Sequence, residues 1–235
     1  MIELFLVRHG ENLANLTKEF SHHRVDYPLT PKGVQQAQQT GAWFAANPPD
    51  AIFTSPLKRA HQTALHIQQH TGAPLFVQEE LREVNTGDLE NRPPTAENWA
   101  IHNAVIAAWL TGDLHRHFPD GESYHELRER FFDGLRAITA GRDGQKIALV
   151  AHGGIITFTL PDLCPGLDRR ELAENASHNC SITRVLLNPA SHPLRGELIE
   201  FGFCGHLSGE AANVVLGIPD DTFFDEHGNL KNDGR

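Results

Sequence analysis

Short, nearly continuous apolar runs separated by helical patterns narrow the fold of this chain more than any other feature. Residues 2–7, 51–54 and 147–151 are too short for helices and lack the alternation of a half-exposed strand. They read as strands buried on both faces of a parallel sheet. Between them, Val34, Ala37, Gly41, Phe44 and Ala45 recur at helical spacing, as do Leu57, Ala60, Ala64 and Ile67, and Tyr124, Leu127, Phe131, Leu135 and Ile138. Thr30-Pro31 and Ser55-Pro56 each read as a cap followed by proline at the first helical position. Strand–helix alternation predicts an α/β three-layer sandwich, with a mostly parallel central sheet and helices on both faces. Residues 182–187 and 197–201 add two later strands. Residues 85–121, with a helical stretch from about 97 to 110, read as a small helical insertion over one end of the sheet. The reading is a single domain over 1–207, then a polar tail over 208–235 with apolar islands at Val214-Val215-Leu216 and Phe223-Phe224.

The ends of the predicted strands carry the chemistry. The first runs into Arg8-His9-Gly10-Glu11 and the third into His152-Gly153-Gly154. The second is followed by Ser55-Pro56-Leu57-Lys58-Arg59, which puts Arg59 about one turn into a helix. Ligands of open α/β sheets bind beyond the carboxyl ends of the strands. Two arginines therefore converge there with two histidines. A guanidinium offers a planar fork of donors matched to phosphate oxygens, and a neutral imidazole is a base or a nucleophile. Helix starts after Ser55 and after Gly154 would add backbone N–H groups for an anion. Each element alone is commonplace; together they predict an anion-binding catalytic site.

Charge and cysteine usage narrow the partners. The chain has 20 Lys and Arg against 30 Asp and Glu, a formal charge of −10, which argues against a nucleic-acid binder. It does not argue against a small anionic substrate in a locally positive pocket. Cys164, Cys180 and Cys204 are odd in number and widely spaced, as expected for reduced thiols of a cytoplasmic protein. No leader pattern and no membrane-length apolar run is evident, so no membrane partner is expected.

Several stretches, in order, resemble the histidine phosphatase superfamily, the phosphoglycerate mutase-like group. They are Leu6-Val7-Arg8-His9-Gly10-Glu11 with Asn15, Pro28-Leu29-Thr30-Pro31-Lys32-Gly33, Thr54-Ser55-Pro56-Leu57-Lys58-Arg59-Ala60, and Leu81-Arg82-Glu83 with Gly87-Asp88-Leu89-Glu90. Further on are Gly121-Glu122-Ser123, Val150-Ala151-His152-Gly153-Gly154, Asn179-Cys180-Ser181-Ile182-Thr183 and His206-Leu207. The resemblance implies that His9 attacks phosphorus and becomes a phosphohistidine. It implies that Arg8, Arg59 and His152 hold the non-bridging oxygens, with Asn15 and the Gly153 N–H as further donors. Glu83 would protonate the leaving oxygen and then activate water, a role that needs a carboxyl protonated in the complex; Glu11 is the fallback. No metal and no cofactor are expected. The chain departs from the pattern at Asn91, where the family usually has glycine, and at Ser21-His22-His23, where mutases carry a substrate-touching Thr-Gly pair. Both departures bear on specificity, with Ser21 the candidate substrate contact.

Pro119 follows Glu83 by only 36 positions, the shorter form of this interval found in the family's phosphatases. The reading is a phosphomonoester hydrolase for a small phosphorylated metabolite. The alternatives are a phosphoglycerate mutase-type phosphoryl transfer and a non-catalytic phospho-ligand module. Trp99, Ile106, Trp109 and Phe118 of the insertion are candidates for apolar pocket walls or for core. His115 and His117 are candidates to meet a second anionic group, His22 and His23 to line the pocket mouth or a solvated loop, and His66 with His70 form a solvated pair. The substrate and the oligomeric state stay open.

Overall fold

The computed structural model describes residues 1–175, 177–215, 217–219, 225 and 227. Leu216 and Phe223-Phe224 of the predicted apolar islands lie outside the described residues.

Six strands form one sheet: β1 (Ile2–Arg8), β2 (Ala51–Thr54), β3 (Leu75–Val77), β4 (Lys146–Ala151), β5 (Ile182–Asn188) and β6 (Arg195–Phe203). Their spatial order is β3-β2-β4-β1-β5-β6. β1 to β4 pair in parallel, whereas β5 and β6 are antiparallel. The helices are α1 (Leu13–Thr17), α2 (Pro31–Ala46), α3 (Lys58–Thr71), α4 (Ala96–Leu110), α5 (Tyr124–Thr139), α6 (Gly153–Leu163) and α7 (Arg169–Glu174). The predicted α/β layering is therefore the architecture observed.

Alternation along each strand splits the core. Phe5, Val7, Ile52, Ala148 and Val150 face Phe44 of α2 and Ala60, Ala64 and Ile67 of α3. Leu4, Leu6, Ile147 and Leu149 face the opposite layer, where Leu127, Phe131 and Leu135 of α5 meet Ile155 and Leu160 of α6. Trp99, Val105 and Trp109 tie α4 of the insertion into this second core.

Three short elements were not expected. β3 is three residues long with Phe76 and Val77 exposed, so it carries no apolar signature. α1 and α7 are single turns held by their caps: Asn12 and Asn15 form a reciprocal capping pair, and Asp168 accepts from the N–H groups of Arg170 and Glu171. One predicted boundary moves. Thr30 caps α2 with Pro31 at its first position, as read, but α3 begins at Lys58 because Leu57 stays extended. Beyond 207, residues 208–212 pack on α2: Gln36 Nε2 donates to Ala211 O at 3.0 Å, and Ser208 N donates to Gln39 Oε1 at 2.8 Å.

Register places the strand ends level. Arg8 pairs with Ala151, and Thr54 with Val150. The chain then leaves the sheet at His9, Ser55 and His152 on one edge. His9 N donates to Ala151 O and Ser55 N to Val150 O, both at 3.0 Å, which fixes the turns to one another.

Candidate active site

The turn after β1 is gripped from both helices of its layer. Gly10 N donates to Thr63 Oγ1 of α3 at 3.0 Å and Glu11 N to Gln36 Oε1 of α2 at 2.8 Å. Gly33 packs so closely on this turn that a Cβ there would lie 2.0 Å from Glu11 O. The turn that carries His9 is thus built into the helix layer.

His9 is 3% exposed, and its hydrogen bonds define its tautomer. Nδ1 lies 2.7 Å from Gly10 O, a pure acceptor, so Nδ1 carries the proton. Nε2 keeps its lone pair, and Arg59 Nε donates to it at 3.0 Å. Burial, then Arg59 and Arg8, hold the imidazole well below the usual histidine range. His9 is therefore a neutral imidazole with Arg59 and Arg8 beside it and a lone pair on Nε2.

Arg59 is 2% exposed, and burial brings its guanidinium down to about 10. Its other two nitrogens donate to Ser21, to Oγ and to the carbonyl, each at 2.9 Å. Ser21 Oγ in turn donates to Val25 O. Ser21 lines the cavity but is engaged with Arg59. The loop after it is pinned by Glu90, whose Oε1 accepts from the N–H groups of His22, His23, Arg24 and Val25 at 2.6 to 3.1 Å.

Arg8 and His152 each hold an orphaned buried nitrogen. Arg8 NH1 donates to Ser177 O, whereas Arg8 Nε has no partner. His152 is fully buried, with its ring centroid 5.1 Å from that of His9. Its Nε2 lies 2.8 Å from Ser55 Oγ, and its Nδ1 has no partner. Burial, then Arg59 and His9, push its imidazole well below the usual range. Buried polar atoms are nearly always satisfied, so the Arg8 orphan, which lies in the lining of the cavity described below, marks a place for a ligand oxygen, whereas His152 is not among the residues that line it.

Glu83 reaches the site from the segment before the insertion. Its Oε1 accepts from Ile155 N at 2.8 Å and Val84 N at 2.9 Å, and its Oε2 from Gly154 N at 3.0 Å. Two of these donors belong to the first turn of α6, which leaves the Gly153 N–H as the first-turn donor free for a ligand. Arg130 fastens the Glu83 segment from behind. It donates to the carbonyls of Glu80, Arg82 and Glu83 and makes a two-nitrogen contact with Glu122. His22 Nδ1 donates to Glu83 O at 2.7 Å. The fallback acid Glu11 points elsewhere, to Lys32 Nζ at 3.0 Å and Thr30 Oγ1 at 2.8 Å.

Arg8, His9, Asn15, Ser21, Arg59, Glu83 and Gly153 all line one cavity of about 270 Å³. Asn15 Oδ1 is taken by Asn12 N and Asn179 Nδ2, so its NH₂ is the group left for a ligand. Trp99 and Ile106 also line the cavity, whereas Trp109 and Phe118 are 1% exposed in the core. His115 packs on His125, and His117 sits 3.2 Å from Glu126; neither lines the cavity. His70 Nδ1 bonds His66 O within α3. Among the described residues, no cluster of three His, Cys, Asp or Glu side chains is placed to hold a metal, and no helix is long and apolar enough to cross a membrane.

Sequence reasoning missed the supporting residues Ser55, Glu90, Arg130 and Asn179. Ser55 reads as a helix cap, and both Ser55 and Glu90 stand in stretches that match the family. Arg130 carries no signal, because its partners, three backbone carbonyls of the Glu83 segment and the Glu122 carboxylate, lie outside its own helix.

The fold and site define a phosphoryl-transfer enzyme built on histidine. A family model of the histidine phosphatase superfamily, branch 1, matches residues 4–195, and the chain belongs to that superfamily. It is 34% identical over 224 residues to "Probable phosphoglycerate mutase GpmB" of Yersinia enterocolitica, covering 92% of this chain and 99% of the relative. It is 31% identical over 188 residues to "Putative phosphoserine phosphatase 2" of Hydrogenobacter thermophilus, covering 79% and 89%. The solved structure of Bacillus stearothermophilus YhfR shares the fold, with a TM-score of 0.75 at 23% identity over 88% of this chain and 99% of that one.

Proposed function

We propose that this enzyme hydrolyses small phosphomonoesters through a phosphohistidine at His9. The observation that carries this reading is the meeting of a neutral imidazole lone pair with two buried, unpartnered nitrogens, Arg8 Nε and His152 Nδ1. His9 Nε2 attacks phosphorus, the ester P–O bond breaks, and Glu83 delivers a proton to the departing oxygen. Water then attacks the phosphohistidine and gives its proton to Glu83, and the P–N bond breaks to release phosphate. Arg8, Arg59, His152, Asn15 and the Gly153 N–H take the phosphoryl oxygens. Arg59 must leave the His9 lone pair as the anion enters, and the phosphate oxygens are what draws it away. Ser21 acts by holding Arg59 in reach. All three cysteines are free thiols, which fits a reducing compartment such as the cytoplasm.

The mutase reading draws support from the GpmB-named relatives. The short interval between Glu83 and Pro119 favours hydrolysis, since less chain is available to shield the phosphoenzyme from water. A direct test incubates the enzyme with 3-phosphoglycerate and a bisphosphoglycerate primer, then measures isomer and free phosphate. Phosphate release from a phosphomonoester panel with negligible isomerisation is expected. Fast isomerisation with little phosphate release would overturn the hydrolase reading.

A further inference from the structure

The cavity has two unlike ends. At one lie His9, the two arginines and the Gly153 N–H. Elsewhere its wall combines the apolar Phe20, Val84, Trp99, Ile106 and Phe158 with His102 and the neutral polar Thr86, Asn103 and Thr157. Phe20 and Trp99 have ring centroids 4.6 Å apart, and His102 lies 4.8 Å from Trp99 and 5.6 Å from Phe20, so three rings form one wall. Burial holds the His102 imidazole below the usual histidine range, so this ring is neutral as well.

The charges of the lining are already committed. Among the described residues, the charged side chains in the wall are Arg8, Arg59, Glu19 and Glu83. Arg59 is spent on His9 and Ser21, and Arg8 is anchored to Ser177 O beside the nucleophile. Glu19 accepts from Thr17 Oγ1 at 2.6 Å and from Tyr27 Oη at 3.3 Å. Among the described residues, no cation other than Arg8 and Arg59 lines the cavity to meet a carboxylate or a second phosphate. A carboxylate pressed against these rings would lose its water with no charged partner in exchange. An apolar group loses nothing and gains contact with the rings. At about 270 Å³ the cavity lies just below the usual range for ligand pockets, roughly 300–1,000 Å³.

We propose that the outer part of this cavity is a leaving-group site for an uncharged apolar alcohol or phenol about the size of one ring or a short alkyl chain. The proposal rests on the hydrolase reading above and narrows its substrate class. Ile106 is the point chosen to alter the wall, because it lines the cavity and is only half-buried where α4 packs against the core.

The test compares kcat/KM for hexyl phosphate, phenyl phosphate, glycerol 3-phosphate, O-phosphoserine and 3-phosphoglycerate with the native enzyme and with Ile106→Arg. Hexyl and phenyl phosphate are expected to exceed 3-phosphoglycerate and O-phosphoserine by about tenfold or more, the scale on which a pocket discriminates by one apolar or polar contact. Ile106→Arg is expected to narrow that ratio by supplying the missing cation. Phosphate release across the panel with the charged esters equal or ahead would overturn this inference and leave the hydrolase reading standing. Isomerisation of 3-phosphoglycerate without phosphate release would overturn both.

Discussion

His152 Nε2 lies 2.8 Å from Ser55 Oγ, and this contact holds the ring in place. Ser55 Oγ also accepts from Leu57 N at 3.3 Å, which ties the hydroxyl to the turn after β2. The other ring nitrogen, Nδ1, is buried without a partner. Ser55→Ala removes that constraint and is expected to lower kcat roughly 10- to 100-fold, the range seen when outer-shell partners of metal-ligating histidines are removed. The loss should sit in kcat more than KM, because a ring no longer held in place weakens transition-state charge stabilisation. Equal kcat in the variant and the parent would show that the contact only packs the turn.

His9→Ala is expected to abolish turnover, by about 10⁴-fold or more, with circular dichroism and melting temperature close to the parent. Its ring contacts are local, and the turn is held by Thr63 and Gln36 through backbone N–H groups that the substitution keeps. Rapid-quench trapping with labelled phosphomonoester should give an acid-labile phosphoenzyme in the parent and none in the variant. Turnover within tenfold of the parent would remove His9 from the mechanism.

Glu83→Gln separates proton delivery from phosphoryl binding. An amide keeps the shape and loses the transferable proton. Activity on alkyl phosphates should fall by on the order of 100-fold or more, within the usual contribution of a general acid. Activity on p-nitrophenyl phosphate, whose leaving group needs little protonation, should fall much less. Equal losses on both would assign Glu83 a purely structural role.

Gly154→Ala tests how tightly the acid is seated. A Cβ at residue 154 would meet Glu83 Oε1 at 2.7 Å and Val84 Cγ2 at 2.9 Å, so the carboxylate must move. The backbone itself tolerates alanine, because residue 154 is in the first turn of α6. The expected result is an unchanged or slightly raised melting temperature with a kcat loss of roughly 100-fold, the cost of displacing a reacting group by about 1 Å. A variant of full activity would show that Glu83 tolerates displacement.

Stability should fall as the pH drops below about 6.5, and His206 offers a clean test of one contribution. Thr40 Oγ1 gives its hydrogen to Gln36 O, so it accepts from His206 Nε2 at 3.0 Å, and His206 Nδ1 is buried without a partner. Burial takes this imidazole down to about 4. An unfolded histidine binds its proton near 6.5, so between 6.5 and about 4 the unfolded chain holds a proton that the folded one refuses. Stability is complete above that window and declines through it as the pH falls. His206→Gln should flatten part of the decline in urea midpoint between pH 7 and 5. An unchanged slope would place the effect on the other buried histidines.

Much of this site was legible because the fold puts it at strand ends. The apolar runs that became β1 and β4 stop at Arg8-His9 and His152, and a parallel sheet leaves those residues on one edge. What the sequence did not disclose are contacts between distant segments. Glu83 is held by N–H groups some seventy residues away, and nothing in its neighbours announces that. Ser55-Pro56 reads as a helix cap, yet Leu57 stays extended and the hydroxyl also reaches His152. Ser21 reads as a substrate contact, yet both its oxygens are spent on Arg59. In each case a polar group keeps a local hydrogen bond and adds a tertiary partner that its neighbours in sequence do not announce.

The hydrogen bond from Arg59 Nε to His9 Nε2 gives the resting enzyme a form of self-restraint. An imidazole with a free lone pair reacts with any electrophile that reaches it, acyl and alkyl donors included. Here the lone pair is occupied until something draws the guanidinium aside, and only a ligand carrying its own negative charge does so strongly. On the mechanism proposed above, the nucleophile is thereby reserved for anions, and neutral electrophiles that drift into the cavity meet a histidine that is already engaged.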